Sequence, residues 1–435
     1  MDADVVIPAT YTVRPAETPA ARPVQAPPPS HLLSAGLIEL PCFHPLGPNG
    51  TPDLLGEIFE WLSGDHERSI TERDPVGRIP FSETVHGLYG ISPRVPWATE
   101  AVRWLNTMIG VAAGRTGSAA AVLDGPLGRT VLAATHDLDF LPGNAVQTGV
   151  RYAKNVVHAL SSGNPDLMAQ VIAAGTGWFR GQHPLAQLAG LVAREQELGI
   201  SSSVNILCLK AHKRDANYLL GETRTMRALE QLAAAGVEIG LHGSWTSLEE
   251  RGQLAVEYRR LAESGYVPLG GRQHWLRFDG PALFDELVAA GAWYDSTLGY
   301  ADVVGFRHGL SFPFPPWNFA SEETYPLLEI PLAVMDGAVA QSSGAHAREA
   351  IMRATERSWG GSAILWHDPV FGGTQLLREV GDLYWDLKRP ETDWTRPIDV
   401  VRGCWPAYEA WDLLPSPPSP LPAPEASHAP AVTPG

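Results

Sequence analysis

Residues 131–140 read VLAATHDLDF. An apolar run ends in polar residues, and Asp137 and Asp139 stand two apart, so on an extended backbone both carboxylates project to the same side. The pattern then recurs along the chain. Strand-like runs follow at SSSVNILCL (201–209), GVEIGLHG (236–243), GGRQHWLRF (270–278), GAWYDSTLG (291–299), PLLEIPLAV (326–334) and GSAILWHD (361–368). Between most of them lie amphipathic stretches such as TMRALEQLAAAG, GQLAVEYRRLAESG and PALFDELVAAG, several of which end in glycine as a helix C-cap does. Strands alternating with helices of about 10–15 residues specify a parallel α/β sheet or barrel. Seven strand candidates in one run favour closure, and the expected fold is α/β with a distorted (β/α)7-type barrel.

The rest of the chain bounds this barrel. It has 435 residues, 32 Lys+Arg against 48 Asp+Glu and a net charge of −16. That field opposes phosphate, which argues against a nucleic-acid partner. Of 38 prolines, 7 fall in residues 1–30 and 8 in residues 415–435, in segments too poor in apolar surface to offset ordering entropy. The expected organisation is a disordered Pro-rich tail over 1–31, a smaller N-terminal α/β lobe over 32–122, the barrel over 123–408 and a second disordered tail over 412–435. Cys42, Cys208 and Cys404 are odd in number and far apart, so neither a disulfide scaffold nor a metal knuckle is indicated. The N-terminus lacks the basic and apolar regions of a signal peptide, and no membrane-length apolar run occurs. A soluble, cytoplasmic protein with no membrane partner is the expectation; oligomeric state is not legible. No P-loop or GxGxxG opens a βα unit.

The strand ends carry unusual chemistry. Besides Asp137 and Asp139, they hold His242 in GLHGS, Arg272 and His274 in GGRQHW, Asp295 in WYDSTLG and His367 in AILWHDP. Catalytic groups of α/β barrels converge at the C-terminal strand ends. Two histidines and a carboxylate make a three-ligand divalent metal site, a neighbouring carboxylate can take a proton from water, and a further histidine can protonate a leaving group. Metal-assisted hydrolysis is the natural chemistry, with Zn²⁺ favoured and Co²⁺ or Fe²⁺ tolerated.

THDLD, GLHGS, RQHWLR and YDSTLGY, with an upstream D-x-x-G-R element at Asp74–Arg78, resemble the polysaccharide deacetylases of the NodB homology type, the carbohydrate esterase family 4 fold, in a divergent bacterial branch. The resemblance covers about residues 45–400. It implies a hydrolase that removes N- or O-acetyl groups from a sugar or cleaves a related non-peptide C–N bond, with an acetylated sugar or related small molecule as partner. Carried over by position, it implies Asp137 as catalytic base, Asp139 and His242 as metal ligands, Arg272 as the arginine that orients the base, Asp295 as the aspartate that orients the acid, and His367 as the acid. The family's second ligand histidine stands four residues after the first, where this chain has Thr246; His274, on the same strand face as Arg272, is the expected replacement. A carboxylate such as Asp295 or Asp368 is expected to keep His367 protonated.

Other readings stay open. His136 is a rival ligand; Asp137 and Asp139 could cap a turn. Arg307 and His308 in GFRHG could bind substrate or serve structure, and Trp245, Trp293 and Trp317 could stack on sugars or fill the core. Met335 and Asp336 read as strand and turn, and the remaining histidines, His66 and His86 among them, show no spacing that forms a second cluster. A barrel kept only for carbohydrate binding and a hydrolase of a small cyclic amide or ureide are the alternative functions. Trimming both tails is expected to leave turnover intact; a truncated protein that folds but loses turnover would show that a tail takes part.

Overall fold

A computed structural model describes residues 22–26, 38–43, 53–116, 131–141, 184–355, 361–367, 375–390 and 392–417, with isolated positions between 153 and 172. Near the N-terminus, strand β1 (Arg22–Ala26) pairs antiparallel with β2 (Ile38–Cys42). Five residues of the stretch read as a disordered tail are therefore a strand; proline there masked the pairing, because an edge strand tolerates it. The remaining residues of the two expected tails that lie outside the described residues are 1–21, 27–31 and 418–435.

The barrel strands are β3 (Val131–Leu138), β4 (Ser203–Leu207), β5 (Glu238–Gly243), β6 (Gly270–Gln273) and β7 (Tyr294–Asp295). A two-stranded ribbon follows, β8 (Trp317–Asn318) with β9 (Glu323–Thr324), and then β10 (Leu328–Glu329), β11 (Leu332–Met335), β12 (Ala363–Leu365) and β13 (Asp393–Thr395). The main sheet runs β10-β7-β6-β5-β4-β3-β12-β11, with β13 beside β3, and every pairing in it is parallel. Its two outermost strands, β10 and β11, are separated in the chain by Ile330 and Pro331 alone. Eight strands laid flat would put those edges about 34 Å apart at the usual inter-strand spacing. The sheet must therefore curl until its edges meet, and β10 and β11 are successive halves of one strand, interrupted where Pro331 cannot donate to a ladder. The result is a ring of seven, a distorted (β/α)7-type barrel.

Burial follows from this closure. All eight residues of β3 are buried, as expected of a parallel strand covered on both faces. Helix Thr223–Ala234 buries Thr225, Ala228, Leu229 and Leu232, one stripe at helical spacing. Helix Pro281–Ala290 starts on proline and stops at Gly291 in the left-handed region, whose N–H reaches the Leu287 carbonyl. Helix Pro397–Ala410 packs Ile398, Val401, Trp405 and Tyr408 against Val131, Tyr294, Leu328 and Ala363, closing the end of the barrel where the strands begin. The opposite end, where the strands finish, is left for the polar residues. No helix among the described residues is long and apolar enough to cross a membrane.

The N-terminal lobe grips the loop between β7 and β10. Ala98 and Thr99 donate their N–H groups to the Gly309 carbonyl, Phe306 donates to that of Pro93, and His86 Nδ1 meets the Tyr300 hydroxyl at 2.8 Å. At the centre of this seam Arg307 binds Glu67 through Nε and Nη2, at 2.9 and 2.7 Å, with both side chains buried. His66 and His308 lie beside Glu67, and their rings are 5.4 Å apart. These histidines do form a second cluster. Its members are some 240 residues apart in the chain, so no local spacing could reveal it. Burial holds His66 at about 4 and His86 at about 3, so both are neutral. Arg307 already occupies the Glu67 carboxylate, which makes the cluster a buried ion-pair lock between lobe and barrel. Arg307→Met leaves Glu67 buried without its partner and is expected to cost about 3–5 kcal/mol of stability in reversible denaturation. The double change Arg307→Met with Glu67→Leu should recover part of that loss; a single-variant cost below about 1 kcal/mol would contradict the lock.

Candidate metal centre and acid–base site

Parallel register brings the polar strand ends together. Asp137 on β3 lies opposite Asn205 on β4, and His242 on β5 lies opposite Arg272 on β6. Asn205 Nδ2 donates to Asp137 Oδ1 at 2.8 Å, and Arg272 Nη1 donates to the same oxygen at 3.1 Å and to Thr135 Oγ1 at 3.0 Å. Arg272 Nε is spent on the Ser296 carbonyl, so the guanidinium is held in one orientation with its side chain fully buried. Its strand can approach β5 closely only because Gly271 has no side chain: a Cβ there would stand 1.9 Å from the Leu241 carbonyl oxygen. Burial alone would raise the Asp137 carboxyl, but the charges of His242, Arg272 and His367 outweigh it and hold the group far below the usual carboxylate range. Asp137 is thus ionised, with Oδ2 turned toward His242 Nε2 at 3.8 Å.

The two histidines are oriented by backbone carbonyls. His242 Nδ1 meets the Arg272 carbonyl at 2.9 Å, and His274 Nε2 meets that of Arg214 at 2.7 Å. A carbonyl only accepts, so each ring must carry its proton on that nitrogen. The remaining nitrogens, His242 Nε2 and His274 Nδ1, then face each other at 2.9 Å with their lone pairs. Asp139 Oδ1 stands 3.4 Å from each and is buried with no hydrogen bond. Two lone pairs and an anionic oxygen pointing at one spot repel unless positive charge sits between them. Without a cation a proton must do so: burial lowers His242, but Asp137 and Asp139 override it and raise the group, while burial and the His242 charge lower His274. With a cation, the same atoms are a ligand triad whose histidines are steered by outer hydrogen bonds, as metal-binding histidines usually are. Two nitrogens and one carboxylate oxygen suit Zn²⁺ with a further position open. Asp139, His242 and His274 thus form a candidate metal cluster, with ligand atoms within 4.8 Å of one another.

His274 reaches this place differently from the sequence expectation. Strand β6 ends at Gln273, and His274 begins a tight turn in which Trp275 and Leu276 have φ of 65° and 52°. The turn, not strand alternation, swings the ring toward His242. Thr246 lies in another short turn, its hydroxyl 3.4 Å from that of Ser244. His136 points to the other face of β3, between the Trp366 carbonyl and Glu195, and is not part of the cluster.

His367 lies across the cavity, its Nε2 3.7 Å from Asp139 Oδ2. Its carboxylate partner is Asp336, which accepts from His367 N at 2.8 Å and faces Nδ1 at 2.9 Å. Asp336, read from the sequence as part of a strand and turn, is the site residue that sequence reasoning missed; the one signal was a carboxylate directly after a strand. Burial works against a charged ring, but Asp336, followed by Asp139 and Asp137, raises His367 to about 10. Asp295, expected to orient the acid, instead accepts from Thr297 N and Oγ1, and Thr297 Oγ1 accepts from Gln273 N. It thereby braces the end of β6 just before His274. Burial raises both Asp295 and the neighbouring Glu329 above the usual carboxylate range. Asp368 lies outside the described residues.

Asp137, Asp139, His242, His274 and His367 line a cavity of about 480 Å³ with Arg78, Trp275, Ala301, Asp302, Met335 and Leu365. Trp293 packs on Trp405 at the closed end of the barrel, where it cannot meet a ligand. Trp317 lines a separate cavity of about 250 Å³ beside Glu67 and His308, and Trp245 stands between Arg214 and Arg277.

No family model and no curated protein sequence matches the chain. Among solved structures it is similar to one named as a polysaccharide deacetylase from Mycobacterium smegmatis, at 17% identity and a TM-score of 0.38 over 68% of this chain and 96% of that one. It is also similar to the PuuE allantoinase, at 15% identity and a TM-score of 0.40 over 64% and 91%. A structure named as a polysaccharide deacetylase from Pseudomonas aeruginosa PAO1 aligns at 14% identity and a TM-score of 0.38 over 63% and 90%.

His242→Ala and His274→Ala should each reduce bound Zn²⁺ from about one equivalent to below a tenth, measured by elemental analysis after dialysis, because two remaining ligands hold the ion poorly. Thr246→Ala should leave the metal content unchanged. Retention of the metal in both histidine variants would exclude this ligand set.

Proposed function

We propose that the protein is a metal-dependent hydrolase of the polysaccharide deacetylase type, removing an N- or O-linked acetyl group from a carbohydrate or cleaving a related non-peptide C–N bond. The observation that carries this reading is the convergence of His242 Nε2, His274 Nδ1 and unsatisfied Asp139 Oδ1 on one point, with an ionised carboxylate on one side and a carboxylate-paired histidine on the other. A divalent cation held there supplies Lewis acidity toward an acyl oxygen and water. The rest belongs to the chain. Asp137 is the proton acceptor: Oδ1 is tied to Arg272 and Asn205, which leaves Oδ2 directed into the cavity. His367, kept protonated by Asp336, carries on Nε2 the proton that a leaving amine or alkoxide needs. Closure of the far end by helix Pro397–Ala410 leaves the strand-end face as the approach for substrate.

The separation of proton affinities between Asp137, held below the ordinary carboxylate range, and His367, raised to about 10, supports Asp137 as base and His367 as acid. A barrel retained for carbohydrate binding alone has no need of either. A small cyclic amide or ureide would meet the same groups, and product analysis separates that substrate from an acetylated sugar by ring opening without acetate release.

Acetate release from N-acetylated sugars is the direct test: Asp137→Asn should lower kcat by about 10²–10⁴-fold with metal content retained, and an unchanged kcat would remove Asp137 from the mechanism. The pH profile supplies a second test. His367 stays protonated at neutral pH because Asp336 offsets its burial, so loss of its proton should appear as a fall in activity on the alkaline side, separate from any acid limb caused by protonation of the metal-binding histidines. Asp336→Asn leaves burial less opposed, lowers the His367 pKa and should move the alkaline limb to lower pH; an unmoved limb would show that another group is the acid.

A further inference from the structure

The mouth of the cavity is charged oppositely to the protein. The chain carries a net −16, yet the loop after β4 reads LKAHKRD over residues 209–215. Its one acid, Asp215, is consumed by the N–H groups of Ala211, His212 and Trp245, at 2.9, 2.7 and 2.8 Å. Among the described residues, Lys210, Lys213 and Arg214 form no ion pair. Arg214 is fixed against the site: its carbonyl takes His274 Nε2–H at 2.7 Å and faces Trp275 Nε1 at 3.4 Å, and its Nη1 donates to the Pro75 carbonyl at 3.1 Å. Its guanidinium stands 4.5 Å from the Trp245 ring and 5.9 Å from that of Trp275. Across the opening, Arg78 lines the cavity and donates to the Trp275 carbonyl at 3.3 Å. Arg78 and Arg277 each have a carboxylate of their own, Asp74 at 2.7 Å and Glu249 at 3.2 Å, so the uncompensated charge is that of the β4 loop. Trp275 stands between these cations, 42% exposed, on a backbone with φ of 65°.

Inside the cavity Asp137, Asp139 and Asp302 face Arg78, His367 and the place of the proposed cation, so opposite charges offset one another there and leave no excess of positive charge for a second anion. A ligand that fits both regions is uncharged at its reacting acyl group and anionic at its outer end, with a flat apolar face between them for the exposed indole. We infer that the substrate carries a phosphate or carboxylate group, held at the mouth by Arg214, favoured by the added positive charge of Lys213 in the same loop, and seated over Trp275. This rests on the hydrolase reading of the cavity and narrows its substrate class to acidic or phosphorylated sugars and related acidic amides. It also qualifies the net charge, since the protein repels polyanions at long range but presents a local cationic collar where one small anion enters.

The test is calorimetric binding of three sugars to the metal-loaded protein, a readout that does not need turnover: neutral N-acetylglucosamine, its 1-phosphate, and N-acetylmuramic acid as the carboxylate. The anionic sugars should bind at least tenfold more tightly than the neutral one, and the arm with the greater preference separates phosphate from carboxylate. Raising NaCl to 0.5 M should shrink the preference, because the collar is solvent-exposed. Arg214→Met, and separately Lys213→Met, an exposed side chain of the same loop, should each bring the anionic-to-neutral ratio toward unity. Equal binding of all three sugars by the unmodified protein would overturn the inference. So would a preference that survives both substitutions, which would place the anion on the metal instead. Hydrolysis of p-nitrophenyl acetate, measured in parallel, reports the hydrolase reading by itself: its absence alongside anion-selective binding would sink that reading and leave the collar standing.

Discussion

Two imidazole nitrogens with lone pairs turned toward each other at 2.9 Å, and a carboxylate oxygen with no hydrogen bond beside them, are unstable in a low-dielectric site unless a positive charge lies between them. Much of the surrounding structure serves to hold that arrangement. The Arg272 and Arg214 carbonyls fix the ring protons on the outer nitrogens, and Asp295 acts through Thr297 on the N–H of Gln273, beside His274. The left-handed turn at Trp275 is strained for a bulky residue, and here it accompanies the swing of His274 toward His242. The arrangement thus depends less on His242, His274 and Asp139 themselves than on the carbonyls and hydroxyls that orient the two histidines.

How much of this is legible in the chain depends on the range of each interaction. The alternating apolar and amphipathic runs are local, and they show the seven-strand ring, its parallel order and the convergence of Asp137, Asp139, His242, Arg272, His274 and His367 at one end. Pro331 inside PLLEIPLAV is the one local sign that a ring strand is split, and its meaning appears only when the two halves are seen to pair with β7 and β12. Contacts across long sequence separations are not legible. Asp336 meets His367 from 31 residues away, and no motif distinguishes it from other acids after strands. Asp295, a strand-end carboxylate of the same outward type, was the natural expectation, but it points to Thr297. His66, His308 and Arg307 come together only because the N-terminal lobe docks on the loop after β7.

Charge is distributed with the same economy. The acids that matter to the site are buried within the barrel mouth and matched by Arg272 and the histidines, while Glu67 and Arg307 neutralise each other in the seam. The net charge of −16 therefore sums surface and interior alike and conceals local arrangements of opposite sign, such as the basic loop after β4. A neutral acyl group attached to an anion is the class of ligand that meets both the cavity and that loop without leaving a buried charge unpaired.

His242, His274 and Asp139 are proposed to hold one divalent cation between them. The most direct measurement is anomalous diffraction at the Zn absorption edge from crystals of the metal-loaded protein. A single strong peak about 2.0–2.2 Å from His242 Nε2, His274 Nδ1 and an Asp139 oxygen is expected. A peak ligated instead by His66, Glu67 and His308, or the absence of any peak from protein with one equivalent of Zn²⁺ added, would contradict that assignment.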